Sequence, residues 1–490
     1  MRALVWFRSD LRVGDNAVLA RASREATRGV VGVFCRCPGQ WAAHGMSPRR
    51  AGMILASLRA LAEDLAFLNI ALRVVEAERF TDVGGALLAL ARELGCDALF
   101  FHRELEVNES RRDTEVSRAF EAAGIRVRAF DDACILAPGS VATAEGRAYT
   151  VFTPFRRRIV SMLVERGLPE LERAPKRQAS MVCASDKLPA VWEHAVSVDP
   201  GVWAVGERAA RSRLDEFLVA RVGAYASARD LPGVDGTSRL SPSLAAGTIS
   251  VRESLMRATE ADGRWLRAPA RGATASRASP TGVGAWVSEL FWREFYRHLL
   301  AAFPCLCMGA AMRREFEGVA WSTREDHFEA WRIGRTGVPI VDAAMRELAT
   351  TGWTHNRCRM IVASYLTKNL LIDWRRGEHH FMSILIDGDL AANNGGWQWA
   401  ASTGADAAPY FRVFNPVSQS LRFDPDGAYI KRHVPELRGL EGEALHQPWA
   451  LPDLVRSRLD YPEPLVDLAA SRARAIEAYR AARESVNRRV

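Results

Sequence analysis

One stretch of the sequence, residues 351–415, combines residue types that suit the binding of a flat, polar ligand. Its centre, residues 385–399, reads Leu-Ile-Asp-Gly-Asp-Leu-Ala-Ala-Asn-Asn-Gly-Gly-Trp-Gln-Trp. Aromatic rings can hold the face of such a ligand, while amides and carboxylates bind its edge. Gly395 and Gly396 would let the backbone approach it closely. A capped loop between core helices would explain the Asp-Gly-Asp turn alone, but not a stretch that contains four tryptophans.

Helices are predicted on both sides of this centre, because apolar residues recur there at helical spacing. Asn356 is predicted to open the first helix, and the turn at 387–389 is predicted to end the second. Arg359 is a candidate counter-charge for Asp387. The apolar residues concerned are Cys358, Ile361, Val362, Tyr365 and Leu366 in the first helix and Phe381, Met382, Leu385 and Ile386 in the second.

Two further segments contain groups that could bind a ligand. In residues 286–298, helical spacing brings Trp286, Glu289 and Arg293 to one side. A carboxylate among aromatic rings could hold the edge of a base, although a core helix with one salt bridge is the alternative. The turn at 236–242 has hydroxyl and backbone donors at a helix start, which suit a phosphate. An ordinary N-cap is the alternative there.

Composition bounds the class of protein. The chain has 490 residues, 48% of them hydrophobic, which predicts two or three globular domains. A net charge of +8 favours a polyanionic partner. No run of apolar residues is long enough to span a membrane, and the charged N-terminus does not resemble a signal peptide. The eight cysteines lack Cys-x-x-Cys spacing, so we expect reduced thiols in the cytoplasm and no metal site.

The order of the predicted elements indicates an α/β fold followed by a helical one. Short buried runs alternate with helical segments in residues 1–130, which predicts a doubly wound parallel sheet. Residues 131–206 are predicted to form a connector, and helices dominate from 207 to 490, with an Ala/Arg-rich helix at 468–490. Within the connector, Arg156-Arg157-Arg158 is interpreted as a solvated basic face. Residues 271–280 are expected to form a loop.

The segment 387–399 resembles the flavin-binding segment of the photolyase and cryptochrome flavoproteins. Within them the chain is most similar to the class I cyclobutane pyrimidine dimer photolyases, and the likeness extends from Met1 to about Pro435. The resemblance implies an N-terminal Rossmann-like antenna-binding domain and a C-terminal all-helical domain that binds FAD and DNA. It also implies light-driven splitting of pyrimidine dimers in single- or double-stranded DNA, by electron transfer from photoexcited reduced FAD to a flipped-out dimer.

The same resemblance assigns roles to individual residues. Those implied to bind FAD are Tyr225, Thr237, Ser238, Arg239, Leu240, Ser241, Trp286, Arg293, Arg359, Asp387, Gly388, Asp389 and Asn393. Those implied to bind the damaged DNA are Arg229, Glu289, Trp292, Asn356, Arg357, Met360, Trp399, Arg412 and Gln419. The residues implied in catalysis are Glu289, Asn393 and an electron-transfer series of Trp397, Trp374 and Trp321. A tryptophan is otherwise most often a core residue.

An antenna chromophore, 5,10-methenyltetrahydrofolate, is implied as well. The matching residues are His44, Asn108, Glu109 and Cys307. Met308 follows the cysteine where folate-binding members often have lysine, which puts the antenna's affinity or identity in question.

Other functions remain open, namely a cryptochrome-like blue-light photoreceptor, a (6-4) photolyase and a flavin-dependent redox enzyme with a small substrate. Asn393, the Trp-Thr-His-Asn-Arg segment and the short C-terminal tail favour a photolyase over a cryptochrome. Asn356 stands where (6-4) photolyases show a second histidine. A redox enzyme of that kind would not need an arginine rim. We expect a monomeric protein.

Overall fold

The computed structural model describes residues 1–266 and 281–487, which form two compact units. The first unit is built from Met1–Gly223, Ser238–Cys307 and Ile386–Asp389, and the second from Ala224–Thr237, Met308–Leu385 and Leu390–Val490. The predicted functional domains at 1–130, 131–206 and 207–490 stay a prediction. The loop expected at 271–280 lies outside the described residues.

The first unit contains a five-stranded sheet in which every pair of neighbouring strands is parallel. The order across the sheet is β3-β2-β1-β4-β5. The strands are β1 Ala3–Phe7, β2 Val30–Arg36, β3 Ala71–Glu76, β4 Ala98–His102 and β5 Arg126–Phe130. The predicted parallel sheet is therefore confirmed. Parallel strands need a crossover between them, and helices provide it here.

The α-helices of the described residues are α1 Ala17–Glu25, α2 Pro38–Ala43, α3 Pro48–Phe67, α4 Val83–Glu93, α5 Val107–Ala122, α6 Phe152–Arg166, α7 Gly206–Ala220, α8 Tyr225–Ala228, α9 Ser241–Ala246, α10 Val251–Ala261, α11 Gly282–Ala302, α12 Glu325–Arg332, α13 Pro339–Thr351, α14 Asn356–Ser364, α15 Trp374–Met382, α16 Leu390–Ala400, α17 Pro416–Phe423, α18 Ala428–His433, α19 Gly442–His446, α20 Asp453–Arg456 and α21 Leu468–Asn487. A π-helix, Tyr365–Asn369, continues α14. Short 3-10 turns lie at Phe80–Asp82, Val222–Ala224, Gly263–Leu266, Pro304–Met308, Arg314–Phe316, Pro435–Leu437 and Pro448–Ala450.

Both faces of the sheet are covered, as a doubly wound fold requires. Side chains alternate along a strand, so Val5 and Phe7 pack into one core with Leu58 of α3. Leu4 and Trp6 pack into the opposite core, which includes residues of α4 and α5. Every residue of β1 is buried, which explains why the strand reads as a continuous apolar run in the sequence.

The second unit is helical and has its own apolar core, formed mainly by α13 to α16 and α18. Helix α14 begins at Asn356, as predicted. Helix α15 ends at Met382, so the predicted continuation through Leu385 and Ile386 is wrong. Both residues are nevertheless buried. The apolar spacing of these two residues indicates that they are buried, and residues in a turn that follows a helix can be buried as well. No helix within the described ranges is long and apolar enough to cross a membrane.

Candidate functional site

One side of α11 in the first unit presents the three residues that the sequence places together. Trp286 is buried, and its indole Nε1 donates a hydrogen bond to Ser238 Oγ at 3.2 Å. Glu289 lies one turn further along and is half-buried. Arg293 Nη1 donates to the carbonyl oxygen of Ala133 at 3.1 Å. The ring of Trp286 is therefore fixed by a hydrogen bond rather than by packing alone.

Trp292, on the same helix, is stacked on Phe152 of α6. The ring centroids are 3.7 Å apart and the ring planes differ by 7°. Such a face-to-face stack fixes the indole in one orientation and covers one of its faces. Phe152 lies 140 positions earlier in the chain, and no sequence pattern links residues at such a separation.

A buried ion pair joins α11 to the turn at 387–389 in the first unit. Arg297 Nη2 lies 2.5 Å from Asp389 Oδ2, and both side chains are largely buried. Burial alone would lower the pKa of Arg297, but the carboxylate of Asp389 raises it. Asp387 and Gly388 are buried beside this pair in the chain. Arg297 was missed, although its position four residues after Arg293 is the helical spacing that could have found it.

A second buried cluster joins α11 to the loop after β5 and consists of Cys134, Glu294 and His298, whose potential ligand atoms lie within 4.8 Å of one another. Glu294 Oε2 accepts from the backbone N–H of Ile135 at 2.8 Å, and His298 Nδ1 accepts from that of Gly139 at 3.3 Å. Burial raises the pKa of Glu294 to about 7 and lowers that of His298 to about 4. The cluster holds the loop after β5 against the helix.

The turn at 237–241 has an unusual backbone. Arg239 has φ +51°, in the left-handed region. Such a conformation costs on the order of 1 kcal/mol for a residue other than glycine and is concentrated at functional sites. Leu240 is buried, Ser238 and Arg239 are half-buried, and Ser241 begins α9. Thr237, half-buried, is the last residue of its segment in the second unit.

In the second unit, the side chain of Asn393 on α16 is oriented by Glu378 on α15. Asn393 Nδ2 donates to the Glu378 carbonyl oxygen at 3.0 Å and to Oε1 at 3.2 Å. With the amide assigned in this way, Asn393 Oδ1 has no hydrogen-bond partner among the described residues and is not sealed from solvent. Burial raises the pKa of Glu378 to about 7. Gly395 and Gly396 follow within α16 and have no positive φ.

The three tryptophans of the implied electron-transfer series lie in or against one apolar core of the second unit. Trp397 and Trp374 are buried and Trp321 is half-buried. A Cβ on Gly377 of α15 would lie 2.2 Å from Trp397, so glycine permits this close approach. Trp397 also contacts Trp331, with ring centroids 6.0 Å apart. Trp331 was missed because a buried tryptophan gives no sequence signal beyond core packing.

The segment before α14 is held by a buried carboxylate. Glu347 Oε2 accepts hydrogen bonds from Thr354 Oγ1 at 2.8 Å, from Tyr429 Oη at 2.7 Å and from the His355 backbone N–H at 3.3 Å. His355 caps α14 by accepting from the backbone N–H of Arg357 at 3.2 Å. Asn356, the next residue, is exposed, and Met360 is half-buried one turn later.

The remaining residues implied in DNA binding also lie in the second unit. Arg357 pairs with Asp230 at 2.8 Å, and Arg229 lies over the ring of Tyr225, 5.7 Å from its centroid. Trp399 contacts Phe414, with centroids 6.4 Å apart. Arg412 is exposed and Gln419 is half-buried. Arg359, implied in FAD binding, donates from Nε to the Thr354 carbonyl oxygen at 2.9 Å.

Three of the implied antenna residues contact one another in the first unit. His44 Nε2 lies 3.1 Å from Asn108 Nδ2, and His44 Nδ1 lies 3.6 Å from Glu109 Oε1. Burial lowers the pKa of His44 and raises that of Glu109. Burial also raises the pKa of Cys307 to about 11. A neutral imidazole that accepts at Nε2 from the amide would have its proton on Nδ1, facing Glu109.

Comparison with known proteins gives a consistent result. The family model "DNA photolyase" matches residues 3–176, and "FAD binding domain of DNA photolyase" matches residues 286–481. The chain is 44% identical to the deoxyribodipyrimidine photo-lyase of Salmonella typhimurium, over 98% of this chain and 99% of the relative.

Among solved structures, a bacterial class III photolyase from Agrobacterium tumefaciens superposes with a TM-score of 0.84 at 33% identity, over 99% of this chain and 98% of the other. A Synechocystis cryptochrome superposes with a TM-score of 0.82 at 27% identity, over 97% of this chain and 99% of the other.

Proposed function

The chain belongs to the DNA photolyase family, and we propose that it is a deoxyribodipyrimidine photo-lyase, a lyase that uses light to split cyclobutane pyrimidine dimers in DNA. The observation that carries this proposal is the match to a photo-lyase at 44% identity along 98% of the chain. A match of that length includes every segment to which the family assigns a role.

The proposed cofactor is FAD, and Asn393 is suited to its reduced form. Reduced flavin has an N–H at its reactive nitrogen, which needs an acceptor, and the Oδ1 atom of Asn393 is held available by Glu378. Asn393 would thus hold a proton at that nitrogen. When bound and reduced, FAD would supply the photoexcited electron that splits the dimer. The other residues proposed to hold it are Tyr225, Thr237, Ser238, Arg239, Leu240, Ser241, Trp286, Arg293, Arg359, Asp387, Gly388 and Asp389.

Recognition of the lesion is assigned to Glu289 and to the aromatic side chains of Trp286 and Trp292. The two linked bases of a dimer must leave the helix to be reached, and this flipping, of which photolyases are a standard example, costs a few kcal/mol. The half-buried carboxylate of Glu289 can accept hydrogen bonds from the edge of a flipped base. The stack on Phe152 holds the ring of Trp292 in one orientation, in which it can pack against the flipped base.

The phosphates of the DNA are assigned to three arginines and one amide side chain of the second unit, with Arg229, Arg357, Arg412 and Gln419 as the rim. Asn356, Met360 and Trp399 are proposed to face the lesion. Asn356 is exposed at the start of α14, which agrees with that role. The preceding residue, His355, is held in place by the hydrogen bond from its backbone N–H to Glu347. Binding should weaken steeply with salt, because each arginine–phosphate contact releases counterions.

Electron supply from the surface is assigned to Trp321, Trp374 and Trp397. The first is half-buried and the other two are buried in the same core, which is the gradient of exposure that a relay from the surface requires. The indole nitrogen of Trp374 is buried without a hydrogen-bond partner in the described part of the chain. An oxidised Trp374 would therefore find no acceptor for its proton there.

The proposal includes an antenna chromophore and a cellular setting. His44, Asn108, Glu109 and Cys307 are proposed to bind 5,10-methenyltetrahydrofolate, supported by the mutual contacts of the first three. We also propose a monomer in the cytoplasm. All eight cysteines are free, as a reducing compartment favours.

A cryptochrome-like photoreceptor is the second candidate, since a cryptochrome superposes on the chain almost as well as a photolyase does. Asn393 favours repair, because many cryptochromes carry an acid or a thiol at that position.

Defined lesions separate the candidates. Protein with reduced FAD is mixed with oligonucleotides that contain a cyclobutane dimer, a (6-4) product or no damage, and each is held in blue light or darkness. Only the cyclobutane dimer should revert, and only in light. Reversal of the (6-4) product would indicate the other photolyase class, and reversal of neither would reject DNA repair.

A further inference from the structure

The three consecutive arginines of α6, Arg156 to Arg158, do not form one uniform charged surface. Successive side chains on a helix point in different directions, and their surroundings differ. Arg158 lies 3.9 Å from Glu165, its ion-pair partner on the same helix. Arg157 is exposed. Arg156 is half-buried, and its Nε donates to Ser288 Oγ at 3.1 Å.

Arg156 and Arg157 lack acidic partners. Within the described ranges, no carboxylate lies within ion-pair distance of either guanidinium, and Ser288 is the sole hydrogen-bond partner of Arg156. Burial lowers the pKa of Arg156, and no nearby charge opposes that effect. Its two terminal nitrogens are not fully buried. A partly desolvated cation without a counter-charge is costly, and an anion that binds there recovers the cost.

The position of these arginines connects them to the proposed lesion site. Ser288 directly precedes Glu289, and Trp292 follows Ser288 by one turn of α11. Phe152, four residues before Arg156 on α6, stacks on Trp292 at 3.7 Å. The first two turns of α6 therefore pack against the turn of α11 that carries Glu289 and Trp292, and all of these residues belong to the first unit.

We propose that Arg156 and Arg157 form a phosphate-binding surface for the DNA backbone beside the lesion, with Ser288 fixing the Arg156 side chain. The inference rests on the proposed function, because it takes Glu289 and Trp292 as lesion contacts. A guanidinium held at Nε presents its other N–H groups in the fork that matches a phosphate. The sequence alone favoured a solvated face, and the missing acidic partners and the packing on α11 reverse that interpretation.

Salt dependence of binding tests this surface directly. The equilibrium constant K for binding of the protein to a duplex with one cyclobutane dimer is measured in darkness between 0.05 and 0.2 M salt. The proteins compared are wild type, Arg157→Ala and the double variant Arg156→Ala/Arg157→Ala. Each arginine–phosphate interaction that a substitution removes should reduce the slope of log K against log salt by about 0.9, which lowers the ratio of affinities at the two salts about 3.5-fold.

Arg166→Ala is the matched control, since it removes an exposed arginine from the last turn of the same helix, ten residues and about 15 Å from Arg156. It should keep the wild-type slope. Equal FAD content and unfolding temperature in all variants exclude misfolding. Wild-type slopes in both test variants would overturn the inference, as would an equal change in Arg166→Ala. A wild-type protein that neither binds nor repairs the dimer would instead refute the proposed function.

Discussion

The side-chain amide of Asn393 donates to Glu378 twice, to the backbone carbonyl oxygen at 3.0 Å and to the carboxylate at 3.2 Å. Because both hydrogen bonds use Nδ2 of Asn393, Glu378 leaves Oδ1 available to a ligand. Glu378 itself is not proposed to contact the ligand. Burial raises the pKa of this carboxyl from 4.5 to about 7, against the opposing effect of the hydrogen bond from Asn393. The pair thus gives the protein a pH-dependent contribution to its stability.

Glu378→Gln should remove that contribution. Because the folded-state pKa is raised, the stability from this group is full below pH 4.5 and is lost as the pH rises through 7. Between pH 5 and 8 the free energy of unfolding of wild type should fall by roughly 2 kcal/mol more than that of the variant. Denaturant unfolding of both proteins at the two pH values measures the difference. Parallel profiles would show that the carboxyl titrates normally.

Glu289→Ala should reduce repair while bound FAD is kept. A hydrogen bond to a charged group is worth about 1.5–3 kcal/mol, so its removal should lower the affinity for the lesion by roughly 10- to 100-fold. Flavin absorbance, dimer affinity and repair yield are measured on the same preparation, and Glu289→Gln, which keeps the shape, should lose less. If the alanine variant releases its flavin, Glu289 has a structural role instead.

Trp321→Phe should abolish most photoreduction of oxidised FAD, because it removes the half-buried end of the proposed relay. Repair by protein that has been reduced chemically beforehand should continue. Trp331→Phe is the matched control, since Trp331 contacts Trp397 but lies outside the proposed relay. Transient absorption after a laser flash follows the tryptophan signal. Loss of photoreduction in the Trp331 variant alone would show that the electron takes that branch.

Arg297→Ala should destabilise the first unit by roughly 3 kcal/mol, because it removes the cation 2.5 Å from the largely buried carboxylate of Asp389. Arg324→Ala breaks an exposed pair with Asp326 and should cost far less, because solvent screens that pair. Denaturant unfolding compares the two variants. Equal, small losses would mean that solvent reaches the Arg297–Asp389 pair.

Much of the fold could be predicted from the sequence, because buried parallel strands read as short apolar runs such as Leu4 to Phe7. The face of α11 that contains Trp286, Glu289 and Arg293 followed from helical spacing in the same way. The end of α15 could not be predicted from helical spacing. Leu385 and Ile386 keep the apolar spacing of the helix while lying beyond its last residue, Met382.

The supporting contacts of the candidate site could not be predicted from the sequence, for a different reason. Phe152 and Trp292 are far apart in the sequence, as are Glu347 and Tyr429, and no periodicity relates them. Even the shorter separation between Glu378 and Asn393 crosses a turn whose geometry the sequence does not determine.

Light should restore intact pyrimidines in damaged DNA that is bound to this protein. Ultraviolet-irradiated oligothymidine is mixed with protein that contains reduced FAD, and the absorbance of intact thymine is followed during alternating periods of blue light and darkness. The absorbance should rise in each illuminated period, stop in each dark one and continue over many turnovers. A flat trace in light, with reduced FAD still bound and the dimer still in complex, would contradict the account.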